Sequence, residues 1–177
     1  MTLTLQEKQI QQAALDFARK NKKAIAKLLT DKVKFIPEEN PVSVFMAGSP
    51  GAGKTESSIE LLETLEKDGL HVMRIDPDEL RYEFEGYSGN NSWLFQPAIS
   101  ILVDKIHDMV LDQKQSFLLD GTLSHYDIAE KNIIRSLKKK RMVQILYVYQ
   151  DPALAWQFVQ AREKAEGRHI PPKQFIE

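Results

Sequence analysis

Apolar residues recur at helical spacing in some stretches of the chain and form short continuous runs in others. The first stretch, from about Leu5 to Lys32, carries one apolar face among many charges, which predicts one or two amphipathic helices. Residues Pro37–Pro41 break this pattern and lead into a first strand. We expect the N-terminal helical segment to pack on the core, and the alternative is a docking or inhibitory element for a partner.

The rest of the chain alternates between the two patterns. Helical spacing predicts helices after Thr55, over Trp93–Gln113 and Tyr126–Leu137, and from Asp151-Pro152 onward. Short apolar runs predict buried strands, which begin at Val42 and cover Leu70–Ile75, Phe117–Asp120 and Val143–Tyr149. Strands that alternate with helices are typical of an α/β fold with a mainly parallel sheet.

A glycine-rich turn follows the first strand and precedes a helix. Its sequence, GSPGAGKT, is the Gly-x-x-x-x-Gly-Lys-Thr pattern of a phosphate-binding loop in the required context. Glycines let the backbone N–H groups approach an anion, and the positive end of the helix supports the same binding. Lys54 is expected to reach the outer phosphates and the Thr55 hydroxyl to ligate Mg²⁺. The residues predicted to bind the nucleotide are Gly48, Ser49, Pro50, Gly51, Ala52, Gly53, Lys54 and Thr55.

Acidic residues close the next two strands. Asp76 and Asp78 follow the second strand, and Asp120 ends the third, just before Gly121-Thr122. Ligands of an open parallel sheet bind outside the carboxyl ends of its strands, so we expect these acids to face the crevice that holds Lys54. Either Asp76 or Asp78 also suits the N-cap of the helix that follows, which leaves the other for chemistry. Asp120 is predicted to lie beside the metal.

Two arginines, Arg162 and Arg168, lie in or near a segment of about residues 162–172 that is delimited by glycine and proline. Phosphoryl transfer needs positive charge on the transferred group and exclusion of water, so this segment is predicted to be a lid. An ordinary solvated helix end is the alternative. Two further features have simpler interpretations: Lys138–Arg141 as cations at a helix end, and His107 as a surface or hydrogen-bonded residue.

Composition narrows the possible roles. The chain has 177 residues, which fits one domain with an N-terminal segment of residues 1–40 and a core of residues 41–177. With 24 basic and 25 acidic residues the net charge is −1, so we expect neither nucleic acid nor a membrane as a partner. The chain has no cysteine, no run near the roughly 18 apolar residues of a membrane span and no signal-peptide core. A cytoplasmic protein is the expectation.

Taken together, the motifs resemble those of the zeta toxin family, small P-loop kinases of bacterial toxin–antitoxin systems. The resemblance covers about Pro41 to the C-terminus and rests on four segments: GSPGAGKT, IDPDELR, FLLDGTLS and AREKAEGRHIP. It implies an α/β, P-loop NTPase/kinase-like three-layer fold with an N-terminal helical extension. The C-terminal part is short beside the family pattern, which implies a truncated form or a missing final strand.

The resemblance also implies a reaction, the transfer of the ATP γ-phosphoryl group to the 3′-hydroxyl of UDP-N-acetylglucosamine. It assigns the catalytic base to Asp78, substrate binding to Thr122 and the lid arginines to Arg162 and Arg168. Together with the acidic residues and the phosphate loop described above, this completes the set of predicted site residues. The residues predicted to act in catalysis are Asp78, Lys54, Arg162 and Arg168. Those predicted to bind substrate are Asp76 and Thr122, and those predicted to bind Mg²⁺ are Thr55 and Asp120. A family glutamate that holds the sugar has no counterpart around Gln96–Ser100.

Three functions remain open at this point. One is the UDP-N-acetylglucosamine kinase, with an antitoxin protein as a possible partner. Another is a kinase for a different small hydroxyl compound, which residues between Arg81 and Phe95 would select. The last is a regulator in which ATP switches partner binding without catalysis. A chain made inactive by its short C-terminus is a further alternative.

Overall fold

A computed structural model of the chain describes residues 3–167, 170, 172 and 175. Over these residues the chain alternates between helices and strands as the sequence predicts. The elements in chain order are α1 (Leu5–Leu29), β1 (Val42–Ala47), α2 (Lys54–Lys67), β2 (Met73–Ile75), a 3₁₀ helix (Glu79–Glu83), α3 (Ser92–Asp112), β3 (Phe117–Leu119), α4 (Tyr126–Lys138), β4 (Met142–Tyr147) and α5 (Pro152–Glu166). In this part of the chain no helix is both long and apolar enough to cross a membrane.

The four strands form one parallel sheet in the order β2-β3-β1-β4. The register pairs Val44 of β1 with Leu118 of β3, and Leu119 of β3 with Ile75 of β2. Strands β1 and β3 are almost entirely buried, which explains their continuous apolar sequences. Such sequences are typical of strands that are covered on both faces of the sheet. The predicted α/β fold with helices around a parallel sheet is confirmed. Its carboxyl edge collects the ends of β1, β2 and β3.

The N-terminal segment is a single helix rather than two. Thr4 and Glu7 form a capping box that begins α1, in which Thr4 Oγ1 accepts from the Glu7 N–H and Glu7 Oε2 accepts from the Thr4 N–H. The buried side of α1 is a row of small residues, Ala14, Ala18 and Ala26, which belong to the main core together with much of α3. The expectation that this segment packs on the core is therefore met.

Strand β2 is shorter than the predicted Leu70–Ile75. The end of α2 explains the difference: Gly69 has a left-handed φ of 78°, and the Leu70 N–H donates to the Leu65 carbonyl at 2.9 Å. This is the hydrogen bond that closes a helix whose last turn ends in glycine. Leu70 therefore belongs to the end of α2, and the strand begins at Met73.

Strand β4 corrects the prediction of a buried strand over Val143–Tyr149. It covers Met142–Tyr147, and four of its six side chains are exposed. The reason is its position, since β4 pairs with β1 at an edge of the sheet. An apolar run shows that a strand forms but does not distinguish an edge strand from a central one.

The interpretation of Lys138–Arg141 as cations at a helix end is wrong for Arg141. Its side chain is buried, and Nε donates to Ser43 Oγ at 2.8 Å while Nη2 donates to the carbonyl oxygens of Val42 and Gln115. The guanidinium also lies over the Phe117 ring at 5.3 Å. Burial lowers the pKa of Arg141 to about 10, which leaves it charged at neutral pH. It therefore links the starts of β1 and β3.

His107 is buried, so the interpretation of it as a surface residue was wrong. It is 1% exposed, and its ring lies edge-on to Phe117 at 4.9 Å and to Phe45 at 6.1 Å. Neither ring nitrogen has a hydrogen-bond partner among the described residues. Burial, with the nearby positive charge of Arg135, lowers the pKa of His107 from 6.5 to about 4. The ring therefore packs in its neutral form as part of the aromatic core.

This environment makes stability depend on pH. Because the folded pKa of His107 lies below the unfolded value, the unfolded chain binds the proton first, and stability falls as the pH drops from about 6.5 towards 4. In urea unfolding, His107→Phe should reduce the loss of unfolding free energy between pH 7 and pH 5 by about 2 kcal/mol. An equal pH dependence in wild type and His107→Phe would contradict this assignment.

Candidate active site

The phosphate loop connects β1 to α2 at the carboxyl edge of the sheet. Gly51 and Gly53 have left-handed φ values of 75° and 88°, which glycine adopts without strain. Helix α2 begins directly after Gly53 with no side-chain cap. The Lys54 ammonium folds back over the loop and donates to the carbonyl oxygens of Gly48 and Ser49 at 2.8 and 2.7 Å. The free backbone N–H groups of an uncapped helix start, together with a nearby ammonium group, are hydrogen-bond donors that suit phosphate oxygens.

Two glycines of the loop touch neighbouring backbone. A Cβ added at Gly48 would lie 2.4 Å from the Val148 carbonyl oxygen, just beyond β4. A Cβ added at Gly51 would lie 2.2 Å from the Ala155 carbonyl oxygen and 3.0 Å from Val159, both in α5. The loop is therefore held against the segment that follows β4, and α5 forms one of its walls.

Asp76 and Asp78 take different roles after β2. Asp76 Oδ1 accepts from the Asp78 N–H at 2.7 Å, an Asx turn that shapes the start of the 3₁₀ helix, and Oδ2 accepts from Arg74 at 2.6 Å. The Asp78 carboxylate is more exposed and pairs with Arg81 at 2.8 Å. It makes no capping hydrogen bond to the 3₁₀ helix. Asp76 thus stabilises the turn, and Asp78 is the carboxylate turned towards the crevice.

Asp120 lies at the end of β3, next to β2 and α2. Its N–H donates to the Ile75 carbonyl at 2.9 Å, and its Oδ2 lies 3.0 Å from Ser58 Oγ in α2. Ser58 Oγ also lies 2.8 Å from the Thr55 carbonyl oxygen. A chain of polar contacts thus joins Asp120 to Thr55 in the first turn of α2, and these are the two residues predicted to bind Mg²⁺.

The described residues contain no group of three or more histidine, cysteine, aspartate or glutamate side chains that could hold a metal ion. Mg²⁺ bound with phosphates usually takes one or two protein ligands and completes its shell with phosphate oxygens and water. One hydroxyl at Thr55 and one carboxylate at Asp120 fit that requirement. The assignment of these two residues stays a prediction.

Thr122 lies beside the phosphate loop. The Gly48 N–H donates to the Thr122 carbonyl at 3.4 Å, and the exposed Thr122 hydroxyl lies 2.9 Å from Ser124 Oγ. This contact brings the turn after β3 next to the turn after β1. Its role in binding substrate stays a prediction, but it is placed where an acceptor could meet the phosphates.

Arg162 lies in α5, within the predicted lid. Its guanidinium is 44% exposed, and Nη2 lies 3.9 Å from Asp78 Oδ2. Arg168 falls outside the described residues, so its predicted role is untested. Of the predicted lid, residues up to Gly167 continue α5 to its end, where Gly167 has a left-handed φ of 70°. Arg162 is thus held on a helix and approaches the carboxylate predicted to act as the base.

Sequence reasoning missed two arginines that shape this site. Arg81 is buried and pairs with Asp78, and Arg74, in the middle of β2, contacts Asp76, Asp120 and Glu79. The signal for Arg74 was a cation between the apolar residues Met73 and Ile75 of a buried strand. Such a charge needs carboxylate partners nearby, and the acids that end β2 and β3 supply them.

Known proteins place this arrangement in a family. The family described as Zeta toxin matches residues 25–177 of the chain. No curated protein sequence matches it. The fold is similar to that of a solved structure of the PezAT chromosomal toxin-antitoxin system of Streptococcus pneumoniae, at 20% identity and a TM-score of 0.72, over 88% of this chain and 65% of that chain.

Two further solved structures share the fold. One is AvrRxo1-ORF1:-ORF2 with ATP, at 18% identity and a TM-score of 0.58, over 95% of this chain and 53% of that chain. The other is the Pnkp1/Rnl/Hen1 RNA repair complex, at 14% identity and a TM-score of 0.62, over 80% of this chain and 43% of that chain. The chain therefore spans less than two thirds of the length of each of these three structures.

The contact between the loop and α5 can be tested with alanine at two glycines. Gly51→Ala should lower the free energy of unfolding by roughly 2 kcal/mol or more, because it adds a clash with Ala155 to the strain of a left-handed residue. Gly69→Ala is the matched control, since Gly69 has a similar φ of 78° but open space around it. Its cost should be about 1 kcal/mol from backbone strain alone. Equal losses in urea unfolding would show that the α5 contact contributes nothing.

Proposed function

We propose, since the chain belongs to the zeta toxin family over residues 25–177, that it transfers the γ-phosphoryl group of ATP to a hydroxyl of a small molecule. The observation that carries this proposal is the double contact of α5. One turn of that helix touches Gly51 of the phosphate loop, and Arg162 approaches Asp78. A cation and a carboxylate thus lie beside a loop suited to phosphate, as phosphoryl transfer to a hydroxyl requires.

Each part of the site has a chemical role in this proposal. The backbone N–H groups of the loop, the start of α2 and Lys54 would hold the phosphates of ATP. Thr55 and Asp120 would hold Mg²⁺, which neutralises negative charge on the phosphate oxygens when bound. Asp78 orients the acceptor hydroxyl and takes its proton, which leaves its oxygen as the nucleophile. Arg162 and Arg168 stabilise charge on the group in transfer.

Arg81 supports the proposed base. Its pair with Asp78 Oδ1 at 2.8 Å fixes one carboxylate oxygen, so the other is directed towards Arg162 and the crevice. In a loose transition state, positioning of the hydroxyl contributes more than the basicity of the carboxylate. A base held between two cations is compatible with that requirement.

We propose UDP-N-acetylglucosamine, at its sugar 3′-hydroxyl, as the acceptor, and an antitoxin protein as a partner of the chain. The support is family membership together with Thr122 beside Gly48. The acceptor side of the site is formed by the segment after Asp78, in which the exposed Tyr82 ring stands edge-on to Tyr87 at 5.6 Å. The exposed Tyr82 ring at this position suits a ring-bearing acceptor better than a simple alcohol.

A single reaction separates the candidate acceptors. The protein is incubated with Mg-ATP and a pool of metabolites, and mass spectrometry follows the gain of one phosphate. Phosphorylated UDP-N-acetylglucosamine would support the proposal in full. A different phosphorylated metabolite would keep the kinase and replace the acceptor. Absence of any product, with partner binding that depends on ATP, would replace the kinase by a nucleotide-dependent regulator.

Substitutions at the loop and at the base should separate binding from chemistry. Lys54→Ala should abolish both ATP binding and transfer, because the ammonium group meets the phosphates. Asp78→Asn should lower transfer by roughly a hundredfold or more while ATP affinity in calorimetry stays at the wild-type value. Asp16→Asn, on the exposed side of α1, is the matched control and should change neither quantity. Near-normal turnover of Asp78→Asn would show that another group accepts the proton.

A further inference from the structure

Arg74 occupies the position between the acids that end β2 and β3. Its Nη2 donates to Asp76 Oδ2 and to Asp120 Oδ2, each at 2.6 Å. Its Nη1 donates to Glu79 Oε1 at 2.5 Å, and its Nε donates to Ser58 Oγ at 3.2 Å. One guanidinium therefore joins β2, β3, the 3₁₀ helix and α2. No motif of the phosphate loop requires this residue.

The charges in this cluster do not balance. One positive charge faces three carboxylates, and the two that share Nη2 are nearly buried, with side-chain exposures of 10% for Asp76 and 6% for Asp120. Burial would lower the pKa of Arg74, but its hydrogen bond to Asp120 and the neighbouring carboxylates outweigh that effect and raise it. Arg74 is thus the nearest counter-charge to both carboxylates within the fold.

The same oxygen of Asp120 that Arg74 holds leads to the phosphate loop. Oδ2 lies within hydrogen-bond distance of Ser58 Oγ, and Ser58 Oγ lies 2.8 Å from the carbonyl of Thr55. A divalent cation that approaches Asp120 therefore meets the guanidinium of Arg74, which is already hydrogen-bonded to the carboxylate oxygen that the cation would bind. The cation must compete with Arg74 for this oxygen, and repulsion between the two cations weakens its approach.

We propose that Arg74 is a positioning residue that makes binding of a divalent cation at Asp120 conditional on the nucleotide. It holds Asp76 and Asp120 in the free protein, and it opposes a cation that arrives without phosphates. When the cation arrives with a nucleoside triphosphate, the phosphate oxygens supply further ligands, which favours its binding over the contact between Arg74 and Asp120 Oδ2. This inference rests on the proposed function for the nucleotide but not on the identity of the acceptor.

The test measures Mn²⁺ affinity by electron paramagnetic resonance, without and with ATP, on the full chain. Without nucleotide, Arg74→Gln should bind Mn²⁺ at least about tenfold more tightly than wild type, because the opposing charge is gone. Arg74→Lys keeps the charge and should restore affinity towards the wild-type value. Arg135→Gln is the matched control, since Arg135 also joins carboxylates, Asp104 and Asp108, but on the outer face of α3. It should not change Mn²⁺ affinity.

A folded Arg74→Gln that binds Mn²⁺ no more tightly than wild type overturns the proposal. If Arg74→Gln does not fold, Asp120→Asn decides, because it should weaken Mn²⁺ binding with ATP and leave the nucleotide-free affinity unchanged. Equal weakening in both conditions would also overturn it. Failure of the wild type to bind ATP would refute the proposed kinase, whereas the nucleotide-free comparison of Arg74→Gln would still decide the role of Arg74.

Discussion

The parallel pairing of β1 with β3 is the constraint on which the rest of the structure depends. It places the turn after β1, which is the phosphate loop, beside the turn after β3, which carries Asp120 and Thr122. Arg141 fixes this pairing from the opposite end of the strands through Ser43, Val42 and the Gln115 carbonyl. The Gln115 side chain extends the same link to α1 by donating to the carbonyl of Thr30. One buried cation thus ties the sheet register to the N-terminal helix.

The N-terminal helix packs towards the segment that follows Asp78, which is the proposed acceptor side of the site. Phe17 of α1 meets Phe84 at 5.4 Å, Phe84 meets Phe95 at 5.6 Å, and Phe95 meets Tyr87 at 5.7 Å. Tyr87 in turn faces Tyr82, close to Asp78 in the sequence. These edge-on and tilted contacts form a continuous row from α1 to the segment after the base. Packing of α1 is therefore linked through these rings to the segment around Tyr82.

Local patterns in the sequence were enough for the parts of the fold that depend on neighbouring residues. The phosphate loop is an example, because a Gly-x-x-x-x-Gly-Lys-Thr segment between a strand and a helix adopts a characteristic conformation, which fixes the places of Lys54 and Thr55. The sequence also indicated that Asp76 and Asp78 differ, but the structure shows Asp76 in an Asx turn rather than a helix cap, and the chemical role of Asp78 stays a prediction. In contrast, Arg74, Arg141 and His107 could not be placed, since their environments are assembled from strands and helices far apart in the chain. Residue type alone favours the surface for the two arginines and is intermediate for histidine.

The contact of Gly51 with α5 has a mechanical consequence. With no Cβ between them, the loop backbone lies against the Ala155 carbonyl, and the same helix carries Arg162 two turns further along. The close approach at Gly51 thus sets the spacing between the loop backbone and α5, and with it the position of Arg162 beside Asp78.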